Sequence, residues 1–443
     1  MQLRVGQKIQ TESTGQEFTV KKKLGEGGQG IVYLVEGAQG SYAVKWYNRE
    51  QSTEDQKISI RYLVHQGPPK GNAGKRFIWP MDLATVPDDD QFGYLMPLID
   101  TGRFAELGEV WAHLKPAPGF PALCEISYQA ANSYRALHLS GHCYRDISSG
   151  NLMFDPKSGD VVICDNDNVG INRQSQCQVL GTPEYMAPEI VMGTADPSTD
   201  KDLHSLAVLL FYLWVWHHPM HGEIEYNIRS WDLPAKKRVY GENPVFIFDP
   251  KDRSNQLPND PEYATAKKRW VYCPAPLKEL FTRAFTVGLK QPSHRVTEGE
   301  WQSLFLELKD NILACPKCKA ENMWDASIQS LNCWHCKTSI FLPPKMIFSH
   351  TGGKHVLLLN KDAKILVRHV NPFPSEEESA NLAGQVVQNP NKPNVWGIRN
   401  LTDASWTITQ PDGKTSSLNP QSAIPINPEL KFDIQGTKAE IVI

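Results

Sequence analysis

Near Cys124 the apolar residues of this chain change their spacing, and that change limits the folds open to it. Upstream, "FTVKKKLGEGGQGIVYLVEG" from Phe18 alternates and breaks at glycines, and "SYAVKWYN" is a β-rich run. "KRFIWPMDLATV" and "FGYLMPLID" read as a further strand pair, and "STEDQKISIRYLV" predicts one helix with Ser52 as its N-cap. Downstream, "LCEISYQAANSYRALHLSG" has helical spacing and ends in Gly141. Ser205 to Trp216 predicts a helix apolar nearly all round, and "EGEWQSLFLELKDNIL" a closing amphipathic one. A small β-rich half before a larger helical half is an α+β arrangement. The polar, Pro-rich stretch from His217 to Pro276 reads as loop-rich decoration. Beyond "LPPK" the tail has short strands, Asn/Pro/Gly turns and almost no helical periodicity, which predicts a small β-sandwich.

At 443 residues the chain exceeds one ordinary domain. A formal charge of −3 exerts no global pull toward nucleic acid or anionic lipid. The N-terminus has no apolar segment of a secretory kind, and Leu206 to Trp216 is too short to span a bilayer. The expectation is a cytoplasmic protein with neither membrane nor nucleic acid as partner. Nine cysteines fall into a scattered set (Cys124, Cys143, Cys164, Cys177, Cys273) and two tight pairs, Cys315/Cys318 and Cys333/Cys336. Without a secretory signal a disulfide framework is disfavoured and the pairs point to metal.

"GEGGQGIVY" sets Gly25, Gly27 and Gly30 in a G-x-G-x-x-G pattern with Val32 behind it. Glycines let backbone N–H groups approach phosphate oxygens without a Cβ in the way. A plain glycine-rich hairpin has the same look. A dinucleotide fold would start a helix here, but the sequence continues as strand. "YAVKWY" places Lys45 inside the next strand, suited to pairing with a nucleotide's phosphates. "YRDISSGN" offers Asp146, able to accept a proton from an attacking hydroxyl, and Asn151, able to hold a metal through its amide oxygen. "GDVVICDND" ends an apolar strand in Asp165, a hard oxygen ligand suited to Mg2+.

Taken in order, these parts resemble the protein kinase family over about residues 18 to 310. "GTPEYMAPE" (Gly181 to Glu189) is similar to the end of an activation segment, and "DKDLHSLAVLLFYL", with Asp202, to the helix after it. Arg295 stands where a buried arginine would pair with Glu189, and Met96 lies near the gatekeeper position of a hinge. The resemblance implies a two-lobed kinase domain at 1–310, with lobes of about 1–98 and 99–310. It also implies serine/threonine protein kinase activity using ATP and Mg2+ on a protein substrate. Gly25, Gly27, Gly30, Val32, Lys45 and Met96 would bind nucleotide. Asn151 and Asp165 would hold magnesium, and Asp146 would act as base beside Lys45, Asn151 and Asp165. Thr182 argues for serine or threonine acceptors. Arg145 would either receive an activation-loop phosphate, with Ser175 the hydroxyl between Asp165 and Thr182, or serve as a structural arginine.

Four departures from the family pattern stand out. Tyr144 replaces the catalytic-loop histidine, and Ser148 stands where a lysine usually helps neutralise the transferred group. "DND" replaces Asp-Phe-Gly, and no glutamate falls at the helix position that should pair with Lys45, where Gln56 or Ser59 stands with Glu54 and Asp55 nearby. A pseudokinase or adapter scaffold that binds nucleotide and docks partners is therefore the alternative to an enzyme.

"CPKC" and "CWHC" make C-x2-C-x14-C-x2-C, so Cys315, Cys318, Cys333 and Cys336 predict a closed tetrahedral zinc site. The segment, at 311–342, resembles a zinc ribbon, and its short chain makes metal the expected source of folding energy. His335 lies inside the second knuckle and is not expected to ligate. In the remainder, 343–443, Trp396 to Ile434 resembles the second half of a forkhead-associated domain, without that family's phosphothreonine-reading residues. Together the three parts resemble bacterial kinases of the tellurite-resistance-associated phosphorylation system. That arrangement implies a von Willebrand A-domain protein as substrate and a phosphatase as partner.

Overall fold

The computed structural model describes residues 2–173, 181–350, 353–361, 363–371 and 373–442. They fall into two compact units, Met1–Cys273 with Leu277–Gln302, and Pro274–Pro276 with Ser303–Ile443.

The first unit begins with a closed barrel of six antiparallel strands: β1 (Lys8–Thr11), β2 (Glu17–Glu26), β3 (Gly30–Gly37), β4 (Gly40–Tyr47), β5 (Asp82–Thr85) and β6 (Phe92–Met96). β1 was not expected, because four residues are too few to show a period. It pairs with both β2 and β5 and so closes the barrel. Period-two alternation sorts the side chains of β4. Val44 and Trp46 join Phe18, Val20, Ile31, Val35 and Leu95 in the barrel core, so Lys45 and Tyr47 belong to the opposite face. Register does the rest, since Lys45 sits opposite Tyr94 of β6. Helix α1 (Glu54–Gln66) is capped by Thr53, whose hydroxyl accepts from Gln56 N, and not by Ser52. Ser52 is diverted because its hydroxyl accepts from Phe92 N at 3.1 Å, tying the helix entry to β6.

The helical half is built on Phe120–Leu139 and Thr199–Val215. Leu206 through Val215 are all buried, as an all-apolar helix requires. The two helices are joined at depth by Trp214 Nε1 donating to Ser127 Oγ at 2.9 Å. The stretch 217–276 is not decoration. Phe246 and Trp270 pack on Phe211, and Phe248 stacks on Trp270 at 4.4 Å. Its aromatic content makes part of this core, though its prolines break any regular period.

The second unit opens with two short hairpins, Ile312–Ala314 with Glu321–Met323 and Leu331–Asn332 with Ser339–Ile340. A six-stranded and a four-stranded antiparallel sheet follow. One core draws on both, with Met346, Phe348 and Trp406 from the first and Ile365, Val386 and Ile398 from the second. The tail also carries two four-residue helices, Val367–Val370 and Glu376–Ser379, too short to leave a periodic trace.

Candidate active site

The Gly25–Gly30 loop joins β2 to β3. Gly30 has a structural reason to be glycine, because a Cβ there would meet the Trp46 carbonyl oxygen at 2.3 Å. A Cβ added at Gly25 or Gly27 would meet nothing within 4 Å, so packing does not require glycine at either position. Val32 is opposite Lys45 across the β3–β4 pair, and Met96 is buried at the end of β6 opposite Ala43.

Lys45 is 4 % exposed. Its Nζ donates to both oxygens of Asp167, at 3.0 and 2.9 Å, and to Gln29 Oε1 at 2.8 Å, and lies 3.5 Å from Asp165 Oδ2. Asp167 also accepts from Tyr47 Oη at 2.6 Å and Tyr94 Oη at 3.0 Å. Burial works to lower the Lys45 pKa, but the charges of Asp167 and Asp165 outweigh it and the net shift is upward. Burial, then the Asp167 charge, push both phenols well above their usual range, so both stay hydrogen donors.

The sequence shows no glutamate at the α1 position that should pair with Lys45, which leaves a different helix register or an ion pair that is missing or replaced. The carboxylate partner is not on α1. Glu54 and Asp55 are exposed, Glu54 lying 3.5 Å from Arg61, and Ser59 donates to the Asp55 carbonyl. Gln56 faces inward but its amide donates to Tyr47 Oη, at 2.8 Å, and brings no charge to Lys45. The partner comes from the "DND" turn, whose extra acid was visible in the sequence as a departure but not as a compensation for the missing one.

Asp146 and Asn151 share one loop. Asn151 Nδ2 donates to the Asp146 backbone oxygen at 2.8 Å and to its Oδ2 at 3.0 Å, which leaves the amide oxygen of Asn151 as its donor atom for a cation. Thr182 holds the other carboxylate oxygen, Oδ1, through both its N–H and its hydroxyl at 2.8 Å. A backbone bond from Cys164 N to Asn151 O, 2.9 Å, brings Asn151 beside the residue preceding Asp165. Asp165 adopts φ 49° and keeps its side chain 41 % exposed. Two hard oxygen donors, one of them an exposed carboxylate, suit magnesium, whereas Asp167 is consumed by its cage. Ser148 is buried in the same loop and brings no charge there.

The loop is fixed from below. Asp202 accepts from Tyr144 N at 2.5 Å, from Arg145 N at 3.0 Å and from His138 Nε2 at 3.0 Å. Buried Tyr144 donates to the Cys164 carbonyl. Burial disfavours charge on His138, yet hydrogen bonds to Asp202 and Glu298 raise its pKa to about 9. Arg145, at φ 75°, packs so closely on Gly170 that a Cβ there would lie 2.0 Å from the guanidinium. Among the described residues its buried Nε has no hydrogen-bond partner. Ser175 lies outside the described residues. Arg295, 4 % exposed, donates to Glu189 at 2.8 Å.

In the second unit the thiols of Cys315, Cys318, Cys333 and Cys336 lie within 4.8 Å of one another, and Cys315–Cys336 and Cys318–Cys333 are 3.5 Å apart. That is too long for a disulfide and short enough for four ligands around one ion. The two knuckles repeat one another. Lys319 N and Lys337 N each close a turn on the first cysteine's carbonyl, both at φ near 60°. Hydrogen bonding with Thr338 brings the Cys336 thiol pKa down to about 6.

No helix among the described residues is long and apolar enough to cross a membrane. The family model described as the protein kinase domain matches residues 18–240, half of the chain. The serine/threonine-protein kinase PkaB of Streptomyces coelicolor is 26 % identical over 219 residues, 47 % of this chain and 51 % of that one. Protein kinase C delta type of Rattus norvegicus is 27 % identical over 226 residues, covering 47 % and 31 %. The DNA damage-responsive serine/threonine-protein kinase RqkA of Deinococcus radiodurans is 28 % identical over 252 residues, covering 53 % and 34 %. The chain thus spans about half the length of the first relative and about a third of the other two. With the match to half its length and a barrel-plus-helix architecture around the Lys45–Asp165 cleft, this chain belongs to the protein kinase family.

Proposed function

We propose that the first unit transfers the γ-phosphoryl of ATP to a serine or threonine hydroxyl of a protein. The observation that carries this is the pairing of Lys45 with the Asp165 turn, 3.5 Å apart, beside a loop in which Asn151 and Thr182 orient Asp146. Lys45 binds the α- and β-phosphates under the Gly25, Gly27 and Gly30 loop, with Val32 and Met96 lining the base side. Asn151 and Asp165 hold magnesium, which when bound neutralises charge on the phosphates. Asp146 accepts the acceptor hydroxyl's proton at its carboxylate. The Thr182 hydroxyl on Asp146 supports serine or threonine as acceptors. Arg145, whose buried Nε has no partner among the described residues, is the group to receive a phosphate from the activation segment.

Incubation with labelled ATP and Mg2+ tests the reading. Asp146→Asn should lower label transfer to protein by about 10²-fold or more while binding nucleotide as the wild type does. Equal labelling by both proteins would overturn it. The uncharged Ser148 favours a second reading, a nucleotide-binding scaffold, and wild-type protein that binds nucleotide without transferring label would select that one.

For the second unit we propose a four-cysteine zinc ribbon over 311–342 and a forkhead-associated-like domain over 343–443, following a kinase domain at 1–310. By domain arrangement alone, a von Willebrand A-domain protein is the proposed substrate and a phosphatase the opposing partner, in the cytoplasm.

A further inference from the structure

Asp167 takes no part in the reaction as set out above, yet four hydrogen bonds converge on it: two from Lys45, one from Tyr47 and one from Tyr94. Its side chain is 0 % exposed. A carboxylate so enclosed can neither bind a metal nor meet a substrate; what it can do is hold the ammonium it touches. The remaining contacts of Lys45 are of another kind. Gln29 is a neutral amide on the glycine-rich loop, which also donates to Asn168 at 3.2 Å, and Asp165 stands off at 3.5 Å with an exposed carboxylate.

We propose that Asp167 is the positioning residue that aims Lys45 at the nucleotide's phosphates, a task left vacant on α1, and that Gln29 is the contact the phosphate oxygens displace. This deepens the phosphotransfer reading and rests on it. Three observations carry it. Strand register sets Lys45 and Tyr94 opposite one another, and alternation sets Tyr47 on the Lys45 face, so the cage is built by the rigid barrel. The inward residue of α1 at the expected place is Gln56, which cannot carry charge and donates its amide hydrogen bond to Tyr47. Asp167 also shares a tight turn with Asp165, closed by Asn168 N to Asp165 O at 3.2 Å and Val169 N to Asn166 O at 3.1 Å. Asn166 anchors that turn by donating to the Ile163 carbonyl at 2.9 Å. The anchor of Lys45 and the proposed magnesium ligand therefore move together, and a shift of α1 leaves the ion pair intact. Competence is set by the turn, not by the helix.

The test compares Asp167→Asn with Gln56→Ala in the full chain, reading initial rates of label transfer from Mg-ATP to dephosphorylated casein. Asp167→Asn keeps shape and loses charge. It should lower kcat/KM for ATP by roughly 10²-fold, leaving the KM for casein unchanged, since a misplaced group costs about that much. Gln56→Ala, which removes one neutral hydrogen bond, should cost about threefold. A loss of less than about threefold in Asp167→Asn, or an equal loss in Gln56→Ala, overturns the proposal. If Asp167→Asn loses its thermal transition, Tyr94→Phe decides. It removes one clamp donor and should raise the KM for ATP without moving that for casein, and an unchanged KM for ATP overturns the proposal. Wild-type protein that transfers no label overturns the kinase reading but not this one. The affinity for Mg2+ and fluorescent N-methylanthraniloyl-ATP then decides, with Asp167→Asn weaker by about tenfold or more and Gln56→Ala not.

Discussion

His138 and His369 answer pH in opposite directions, and the reason lies in what each imidazole faces. His138 lies between the carboxylates of Asp202 and Glu298 and titrates near 9 when folded, against about 6.5 unfolded. Its contribution is complete below about pH 6.5 and is lost as pH rises through about 9, worth about 3 kcal/mol. His369 accepts from Leu366 N at Nδ1, so its Nε2 carries the proton it donates to Asp310. Burial lowers its pKa to about 4 despite that carboxylate. Burial raises the Asp310 pKa, but His355, His369 and Arg368 prevail and hold it far below the carboxylate range. Both groups therefore stabilise the second unit above their unfolded pKa values and stop doing so on acidification. Calorimetry from pH 4 to 9.5 should show the first unit's transition falling on the alkaline side and the second's on the acid side. His138→Gln should flatten the alkaline fall. A pH-independent pair of transitions would refute the assignment.

Among elements, the glycine-rich hairpin separates two jobs that its sequence merges. A methyl on Gly30 would strike the Trp46 backbone, whereas one on Gly27 meets nothing. Gly30→Ala should therefore destabilise the barrel by about 2 kcal/mol, a strain of the overpacking kind. Gly27→Ala should leave the thermal transition in place, because its extra carbon meets no protein atom, and under the proposed phosphate-covering role of the loop it should raise only the KM for ATP. Thermal melts beside ATP titrations read the two effects independently. The hairpin's existence was legible from its alternation, and so was α1. The cap of α1 was not, because Ser52 and Thr53 are chemically alike and the choice fell to Phe92, distant in the chain.

Across the whole molecule, the four-cysteine segment is continuous in packing with the sheets that follow it. Leu313, Trp324, Leu331 and Ile340 share a core with Leu358, so the four-cysteine segment draws on the β-rich tail and not on the proposed metal alone. A strong chelator should lower the second unit's transition and leave the first unit's unmoved, with release of about one zinc per chain. Loss of both transitions together would show that the units do not melt independently, and no zinc in the purified protein would remove the metal from the account.

Local pattern alone determined the β-rich then helical order, the glycine turn continuing as strand and the two thiol pairs, because each is written within a few neighbouring positions. What Lys45 pairs with was decided only by tertiary structure. A lysine at position 45 and an aspartate at 167 carry no mark of one another in one chain. It took strand register, the alternation of β4 and a turn at the end of a distant strand to seal that charge pair away from water.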